Sequence, residues 1–443
     1  KAVVFDTTIL GSNPSAPAIR MNKILDIDTL IKKVKFLLFP FYKSPEIRKI
    51  FQILEKDQLK EKRVAMFVGG CVRKYLLGEE VDDIDIATVL SPKEIKNKFN
   101  NTDVKVIDTG IDHGSVTLLL NKKKFEITTL RKDLLTDGRH AQVSFTDDWK
   151  LDSERRDFTI NAIYLDIKGK VYDPQLGLND LKRGIVKFIG DPNKRIEEDY
   201  LRIIRFIRFS IQYNHQDFEK STLEALKLNL NGIKNLSKER IFNELTKILH
   251  LKNFKDIIRN NNLKEIFSLI FPELKYLERL KKKDIFPRNT IIPFEVLIAI
   301  ILLDESNNYE YFCHKYKVSN IVKEKLGYLH KALNNYLNDI YYFKKNLKKN
   351  IYYLSKKKLK DFNILVFFIF QKISVKKFLE VLDNINQTSV PNFNIDGKFL
   401  LNRGLAEGKE IGVVLNELEK IWLENNFALS DEKMMKVINK TKN

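Results

Sequence analysis

The sequence predicts an α/β unit followed by a long all-α remainder. Between Arg63 and Gly190, short apolar runs alternate with Gly, Asp and Asn, the texture of strands joined by tight turns. After Asp191-Pro192, glycine and proline thin out and Leu, Ile and Phe recur every three to four residues, the period of buried helix faces. The chain has 443 residues, 44% hydrophobic and 11% aromatic. At roughly 150 residues per domain this supports about three domains with real cores and excludes global disorder.

Residues 1–20 read as an N-terminal extension ahead of Met21, without the sustained apolar core of a signal peptide. Residues 21–62 are expected to be helical, because Leu25, Ile27, Leu30, Ile31, Val34, Leu37 and Leu38 share helical spacing. Within 63–190, the runs 64–68, 84–87, 104–107, 115–120, 125–129 and 162–165 read as strands of one sheet. The helical part divides into segments 191–262, 263–390 and 391–443. The longest apolar runs, 296–303 and 364–370, are too short to cross a bilayer, so no membrane partner is expected.

Lys and Arg number 78 and Asp and Glu 58, a net charge of +20. A protein this basic meets a polyanion, with nucleic acid the first candidate and an acidic membrane surface the second. The tract 331–361 interleaves Lys344, Lys345, Lys348, Lys349, Lys356, Lys357, Lys358 and Lys360 with Tyr341, Tyr342, Tyr352 and Tyr353. Cations for phosphates beside rings for stacking suit RNA; the competing reading is a solvated Lys face over tyrosines in the core. Two cysteines, Cys71 and Cys313, exclude a disulfide scaffold and a Cys-rich zinc site, and fit a reducing compartment, expected to be the cytoplasm.

Five stretches carry chemistry. In Phe67-Val68-Gly69-Gly70-Cys71-Val72-Arg73 a strand runs through two glycines into a helix that Gly78 stops. Gly69 and Gly70 let phosphate approach the backbone and Arg73 adds charge; a plain tight turn is the alternative. In Asp83-Ile84-Asp85-Ile86, strand alternation puts Asp83 and Asp85 on one face and the isoleucines on the other. Two such carboxylates repel unless a cation intervenes. Hard Mg²⁺ prefers them, and a pair of such ions can activate an attacking hydroxyl and stabilise a leaving pyrophosphate. Glu126, in Phe125-Glu126-Ile127, is the candidate third carboxylate, against an exposed strand Glu. Arg155-Arg156-Asp157-Phe158-Thr159-Ile160-Asn161 offers Arg156 to phosphate oxygens and Asp157 to a sugar hydroxyl, against a surface ion-pair cluster. Finally, a helix over Glu198 to Phe209 carries Asp199, Arg202, Arg205 and Arg208 every three residues as one polar stripe. Asp199 can accept from the amino group of cytosine or adenine while Arg202 donates to the ring nitrogen, whereas guanine and uracil mismatch both contacts. An ordinary i,i+3 salt bridge is the competing reading.

These stretches occur in order with Leu76-Leu77-Gly78, His113-Gly114-Ser115-Val116, Asp137-Gly138-Arg139-His140-Ala141, Asp173-Pro174 through Gly177 to Asp180-Leu181, and Glu239-Arg240-Ile241 to Glu244-Leu245. Over about 63–250 the sequence resembles the class II tRNA nucleotidyltransferase and bacterial poly(A) polymerase family. The resemblance implies a nucleotidyltransferase head of polymerase-β type over 63–190, then a helical neck (191–262), body (263–390) and tail (391–443). It implies Mg²⁺ on Asp83 and Asp85, nucleotide contacts from Gly70, Arg73 and Arg156, and base and phosphate contacts from Asp199, Arg202, Arg205 and Arg208. Residues between Glu126 and Arg155 would be the flexible element near the site. The sequence departs from the family pattern at Lys74, where an Asp usually follows the Arg, which puts the packing of that helix and the orientation of Arg73 in question.

Addition of CCA to the tRNA 3′ end from CTP and ATP is the expected activity. The stretch from Phe393 through Gly397, Gly404, Gly408 and Gly412 to Trp422 resembles tails of CCA-adding members. The sequence also lacks the long basic extension expected of the poly(A) type, and the Asp199/Arg202 pair accepts both C and A. No His-Asp dipeptide occurs, so a metal phosphohydrolase domain is not expected. The alternatives are poly(A) addition, a non-catalytic RNA-binding relic, and a sugar transferase using the Asp-x-Asp pair with Mn²⁺. Whether all three nucleotides are added, and the oligomeric state, are open at this level.

Overall fold

The computed structural model describes residues 40–57, 63–111, 114–135, 142–339 and 341–442. The expected extension 1–20 and residues 21–39 of the expected helical segment lie outside the described residues, as do His113 and the stretch Asp137 to Ala141. From Pro40 onward the segment is not one helix. Phe41–Lys43 form a 3₁₀ turn and α1 (Pro45–Glu55) follows. Pro40 and Pro45 divide what apolar spacing alone runs together, because proline at a first helical position starts a helix and cannot continue one. Ile47, Ile50, Phe51 and Leu54 bury one face of α1.

The first unit then runs β1 (Ala65–Val68), α2 (Gly70–Leu76), β2 (Ile84–Thr88), α3 (Pro92–Phe99), β3 (Lys105–Gly110), β4 (Ser115–Leu120), β5 (Lys123–Thr129), β6 (Arg131–Leu135), β7 (Gln142–Phe145), α4 (Trp149–Glu154), β8 (Tyr164–Leu165) and β9 (Val171–Tyr172). Among the described residues a seven-stranded sheet has the order β3-β4-β5-β2-β1-β8-β9, and β6 pairs with β7. Within the sheet β2 and β5 are parallel, and the other described pairs are antiparallel. Each of the six apolar runs expected as strands holds one. The last begins only at Tyr164, because Thr159–Asn161 close a 3₁₀ turn just before it. Strands β6, β7 and β9 were not expected; they are short and lack an apolar run.

Alternation along β1 places Met66 and Val68 in a cluster with Ala87, Leu130, Trp149 and Tyr164. Phe67 points to the other side, with ring centroids 4.9 Å from Phe41 and 4.8 Å from Phe51. A capping box between Ser91 and Glu94 starts α3. The chain divides into residues 1–133 with 143–178 and residues 134–142 with 179–443; α5 (Gly177–Arg183) spans that division.

The second unit is helical: α6 (Pro192–Glu198), α7 (Leu201–Tyr213), α8 (Lys220–Leu228), α9 (Lys238–Leu249), α10 (Asn261–Ile270), α11 (Phe294–Leu302), α12 (Asn308–Tyr316), α13 (Asn320–Asn338), α14 (Tyr342–Lys345), α15 (Leu347–Ile369), α16 (Val375–Gln387), α17 (Gly397–Asn402), α18 (Lys409–Glu424) and α19 (Asp431–Lys442). Both long apolar runs are buried helices, α11 and the end of α15. No helix among the described residues is long and apolar enough to cross a membrane. The Nζ of Lys282 donates to the carbonyls of Phe367, Phe370 and Ile373 at 2.7, 2.8 and 3.0 Å, capping the end of α15.

In the basic tract the four tyrosines part company. Tyr342 packs on Phe362 and Tyr352 on Trp422, each with centroids 5.4 Å apart. These two rings are half-buried, while Tyr341 and Tyr353 are exposed.

Candidate active site

The first unit builds its site where β1 ends. Gly69 takes φ +74° and ψ −128°, a conformation that residues with a side chain rarely adopt. A Cβ there would stand 3.5 Å from the Asp85 Oδ2, so this turn runs beside that carboxylate. At Gly70 a Cβ would meet nothing within 4 Å, so the turn is open on that side. Cys71 is buried; its thiol donates to the Val68 carbonyl at 3.2 Å, and burial pushes it up to about 11. That makes it a packing residue and not a nucleophile.

Asp85 pairs in register with Glu126 across the parallel strands β2 and β5, and Asp83 lies two residues before it. Burial pushes the Asp85 carboxyl up to about 6; the charges of Glu126 and Asp83 add to this, and those of Arg156 and Arg73 oppose it. Carboxylates held this close, with one reluctant to ionise, form a donor set that a hard cation would relieve. Among the described residues no three His, Cys, Asp or Glu side chains form a metal cage. A pair of carboxylates completed by substrate oxygens is the mode Mg²⁺ favours over an all-protein cage.

The Arg155–Asn161 stretch is mostly buried, not a surface ion-pair cluster. Asp152 on α4 is its hub: its carboxylate accepts from Arg155 Nη2 at 2.7 Å, Arg156 Nη2 at 3.0 Å and the Tyr164 hydroxyl at 2.8 Å. Burial alone would raise Asp152, but the two guanidiniums and the phenol hold it well below the usual carboxylate range. Asp157 accepts from Asn161 Nδ2 at 2.6 Å, and Asn161 Oδ1 accepts from Arg73. This chain holds the Arg73 side chain, so buried Asp157, which the sequence offered to a sugar hydroxyl, has a positioning task as well. Asp173 accepts from the backbone of Gly177 and Leu178, both at 2.8 Å. A Cβ on Gly177 would lie 2.0 Å from the Thr159 carbonyl oxygen, so the Asp173-to-Gly177 motif clamps the 159–161 turn.

In the second unit the expected single helix is broken. α6 ends at Glu198, Asp199 is extended at φ −157° and ψ 104°, and α7 starts at Leu201. Asp199 and Arg202 are therefore not an i,i+3 helix pair. Asp199 Oδ1 accepts from the Leu201 N–H at 3.1 Å and Oδ2 from Arg240 Nη2 at 2.8 Å. Arg202 Nη1 donates to Glu198 Oε2 and to the Arg195 carbonyl, both at 2.6 Å. Arg202, Arg205 and Arg208 do share α7. Glu244 on α9 faces the last two, at 3.9 Å and 2.8 Å. Burial would raise Glu244, yet Arg208, Lys247 and Arg205 hold it below its ordinary value.

The sequence reading assigned no role to Asp152, Glu198, Arg240 or Glu244. Two of these had a local signal: Asp152 sits three and four residues before the paired arginines, and Glu198 four before Arg202. Arg240 and Glu244 lay in a quoted motif, but nothing in their spacing names a partner near residues 199–208.

The family described as "Poly A polymerase head domain" matches residues 65–187, and "Probable RNA and SrmB- binding site of polymerase A" matches 217–277. The chain is 33% identical over 400 residues to CCA tRNA nucleotidyltransferase 1, mitochondrial, of Danio rerio, spanning 88% of this chain and 89% of the relative. It is 32% identical over 382 residues to a CCA-adding enzyme of Oceanobacillus iheyensis, spanning 84% and 91%. Among solved structures, the Bacillus stearothermophilus CCA-adding enzyme in complex with CTP superposes with a TM-score of 0.67 at 22% identity, covering 90% of this chain and 98% of that one. The Thermotoga maritima CCA-adding enzyme complexed with tRNA gives 0.59 at 22% identity, covering 92% and 98%. At that identity the structural likeness speaks for the fold.

Proposed function

Because this chain belongs to the CCA-adding tRNA nucleotidyltransferase family, we propose that it extends the 3′ end of tRNA with C and A, taking them from CTP and ATP and releasing pyrophosphate. The observation that carries the chemistry is the carboxylate group formed by Asp85 and Glu126, paired across neighbouring strands, with Asp83 in the bend that leads into β2, beside a glycine turn that is open to an incoming triphosphate.

Divalent cations, which we assign as Mg²⁺, would be held by Asp83 and Asp85, and when bound they supply activation of the attacking hydroxyl and stabilisation of the leaving group. Gly69 and Gly70 admit the phosphates close to the backbone. Arg73 and Arg156 provide fixed positive charge toward them. Asp157 and Asn161 hold Arg73, and Asp152 holds Arg156, so neither guanidinium has to reorganise when substrate arrives. In the second unit, Asp199 and Arg202 present an acceptor and a donor that match the amino group and ring nitrogen of C and A. Arg240 and Glu198 hold these two edges before a base is present. Arg205 and Arg208, aligned by Glu244, serve the base and phosphates. We assign 63–190 to the catalytic head, 191–262 to the neck, 263–390 to an RNA-binding body and 391–443 to the tail. Two buried free thiols, Cys71 and Cys313, fit a reducing compartment such as the cytoplasm.

The test uses the purified full chain, a tRNA lacking its 3′ CCA, and labelled CTP and ATP. A fixed three-nucleotide extension, with GTP and UTP refused, is expected. A long ladder of A would replace this reading with poly(A) addition, and absence of transfer would overturn it.

A further inference from the structure

Residues 79–85 hold five carboxylates, Glu79, Glu80, Asp82, Asp83 and Asp85, on a segment that is exposed from Glu79 to Asp83 apart from half-buried Val81. One side chain ties this acidic segment to the preceding helix. Lys74 on α2 forms an ion pair with Asp82 Oδ1, and the same Oδ1 accepts from the Asp83 N–H at 2.9 Å. The Lys74 carbonyl accepts in turn from the Glu79 N–H at 2.8 Å, closing the loop at its start. A single carboxylate oxygen thus joins α2 to the backbone of Asp83. Its neighbour Arg73 reaches Asn161. Residues 73 and 74 therefore tie α2 both to the 155–161 stretch and to the segment leading into β2.

We propose that Lys74 is a positioning residue for cation binding: by gripping Asp82 it fixes the backbone of Asp83 and so aims the Asp83–Asp85 pair. The inference rests on the metal assignment made above. It is distinct from a simple charge effect, because the two have opposite signs. Lys74 is a cation beside an acidic segment. Removing its charge alone would deepen the negative potential and strengthen cation binding. Removing a positioning contact weakens it. Lys74 is partly exposed and Asp82 exposed, and ion pairs of that kind contribute little to stability, so the variants should fold.

The experiment titrates Mn²⁺ alone into the full chain, following free Mn²⁺ by electron paramagnetic resonance, for wild type, Lys74→Met and Lys74→Arg. Lys74→Met should bind Mn²⁺ roughly tenfold more weakly, as loss of partners behind metal ligands generally does, and Lys74→Arg should recover most of the affinity. In parallel, kcat for C addition should fall in Lys74→Met while KM for CTP changes by less than about twofold. Equal or tighter Mn²⁺ binding by Lys74→Met overturns the proposal. If the wild type binds no Mn²⁺, the role of Lys74 falls with the metal assignment. If the wild type binds Mn²⁺ but transfers nothing to tRNA, the proposed function fails while the Mn²⁺ comparison still decides the role of Lys74.

Discussion

Asp85 on β2 and Glu126 on β5 stand directly opposite each other, registered partners across a parallel strand pair. Side chains of registered partners project from the same face of a sheet, and the Glu126 charge so placed makes ionisation of Asp85 costlier. Here burial makes the larger contribution, and together they bring Asp85 up to about 6 from an ordinary 3.8.

A carboxyl raised by folding stabilises the protein below its unfolded value, and that stability is lost as pH climbs through the folded value. In metal-free protein, wild type should therefore lose stability relative to Asp85→Asn between about pH 4 and pH 6. By pH 8 the difference should have moved about 3 kcal/mol toward the variant. Thermal melts in chelator across this range measure it, and Mg²⁺ should close the gap for wild type alone. A pH-independent difference would show that Asp85 ionises freely.

Asp83→Ala should reduce nucleotide transfer to background while tRNA binding stays within about twofold of wild type, since the residue is assigned to the ion and not to RNA. Single-turnover assays beside filter binding separate the two. Near-normal turnover would show that the cation is held elsewhere.

Arg202→Ala should relax the choice of base more than it weakens triphosphate binding. Glu198→Gln should do the same more mildly, because Glu198 Oε2 holds the Arg202 guanidinium at 2.6 Å. The readout is the ratio of kcat/KM for CTP to that for UTP, expected to fall by roughly 10-fold or more for Arg202→Ala, the scale of a lost base-edge contact. Undiminished rejection of UTP and GTP would remove this residue from base selection.

Asp152→Asn should destabilise the first unit by about 3 kcal/mol, because it withdraws a buried negative charge that Arg155, Arg156 and Tyr164 converge on. Tyr164→Phe removes one neutral donor and should cost about 1 kcal/mol. Urea unfolding of both variants provides the comparison, and equal costs would mean the charge is not what holds the hub together.

Binding of tRNA should weaken steeply with salt, as lysine-rich helices displace counterions from phosphates. The slope of log Kd against log salt measures how many phosphates are met, and a flat profile would rule out an electrostatic platform.

Much of the first unit was legible in the sequence because its signals are local. Alternation of apolar residues marks a strand whatever it pairs with, two glycines mark a turn that needs unusual backbone angles, and the Asp83-x-Asp85 spacing marks a candidate carboxylate pair, although β2 takes in Asp85 and leaves Asp83 in the bend just before it. The proline pair at Pro40 and Pro45 was just as local but lost to the apolar spacing around it. Tertiary structure alone decided what those residues meet. Parallel pairing of β2 with β5 brings Glu126 to Asp85. A break at Asp199 frees its carboxylate for Arg240, 41 residues away, and Arg208 finds Glu244, 36 residues away. The physical reason is that a side chain's period along its own element is set by backbone geometry. Its charge partner is set by which elements bury their apolar faces together, and no spacing in the sequence records that choice.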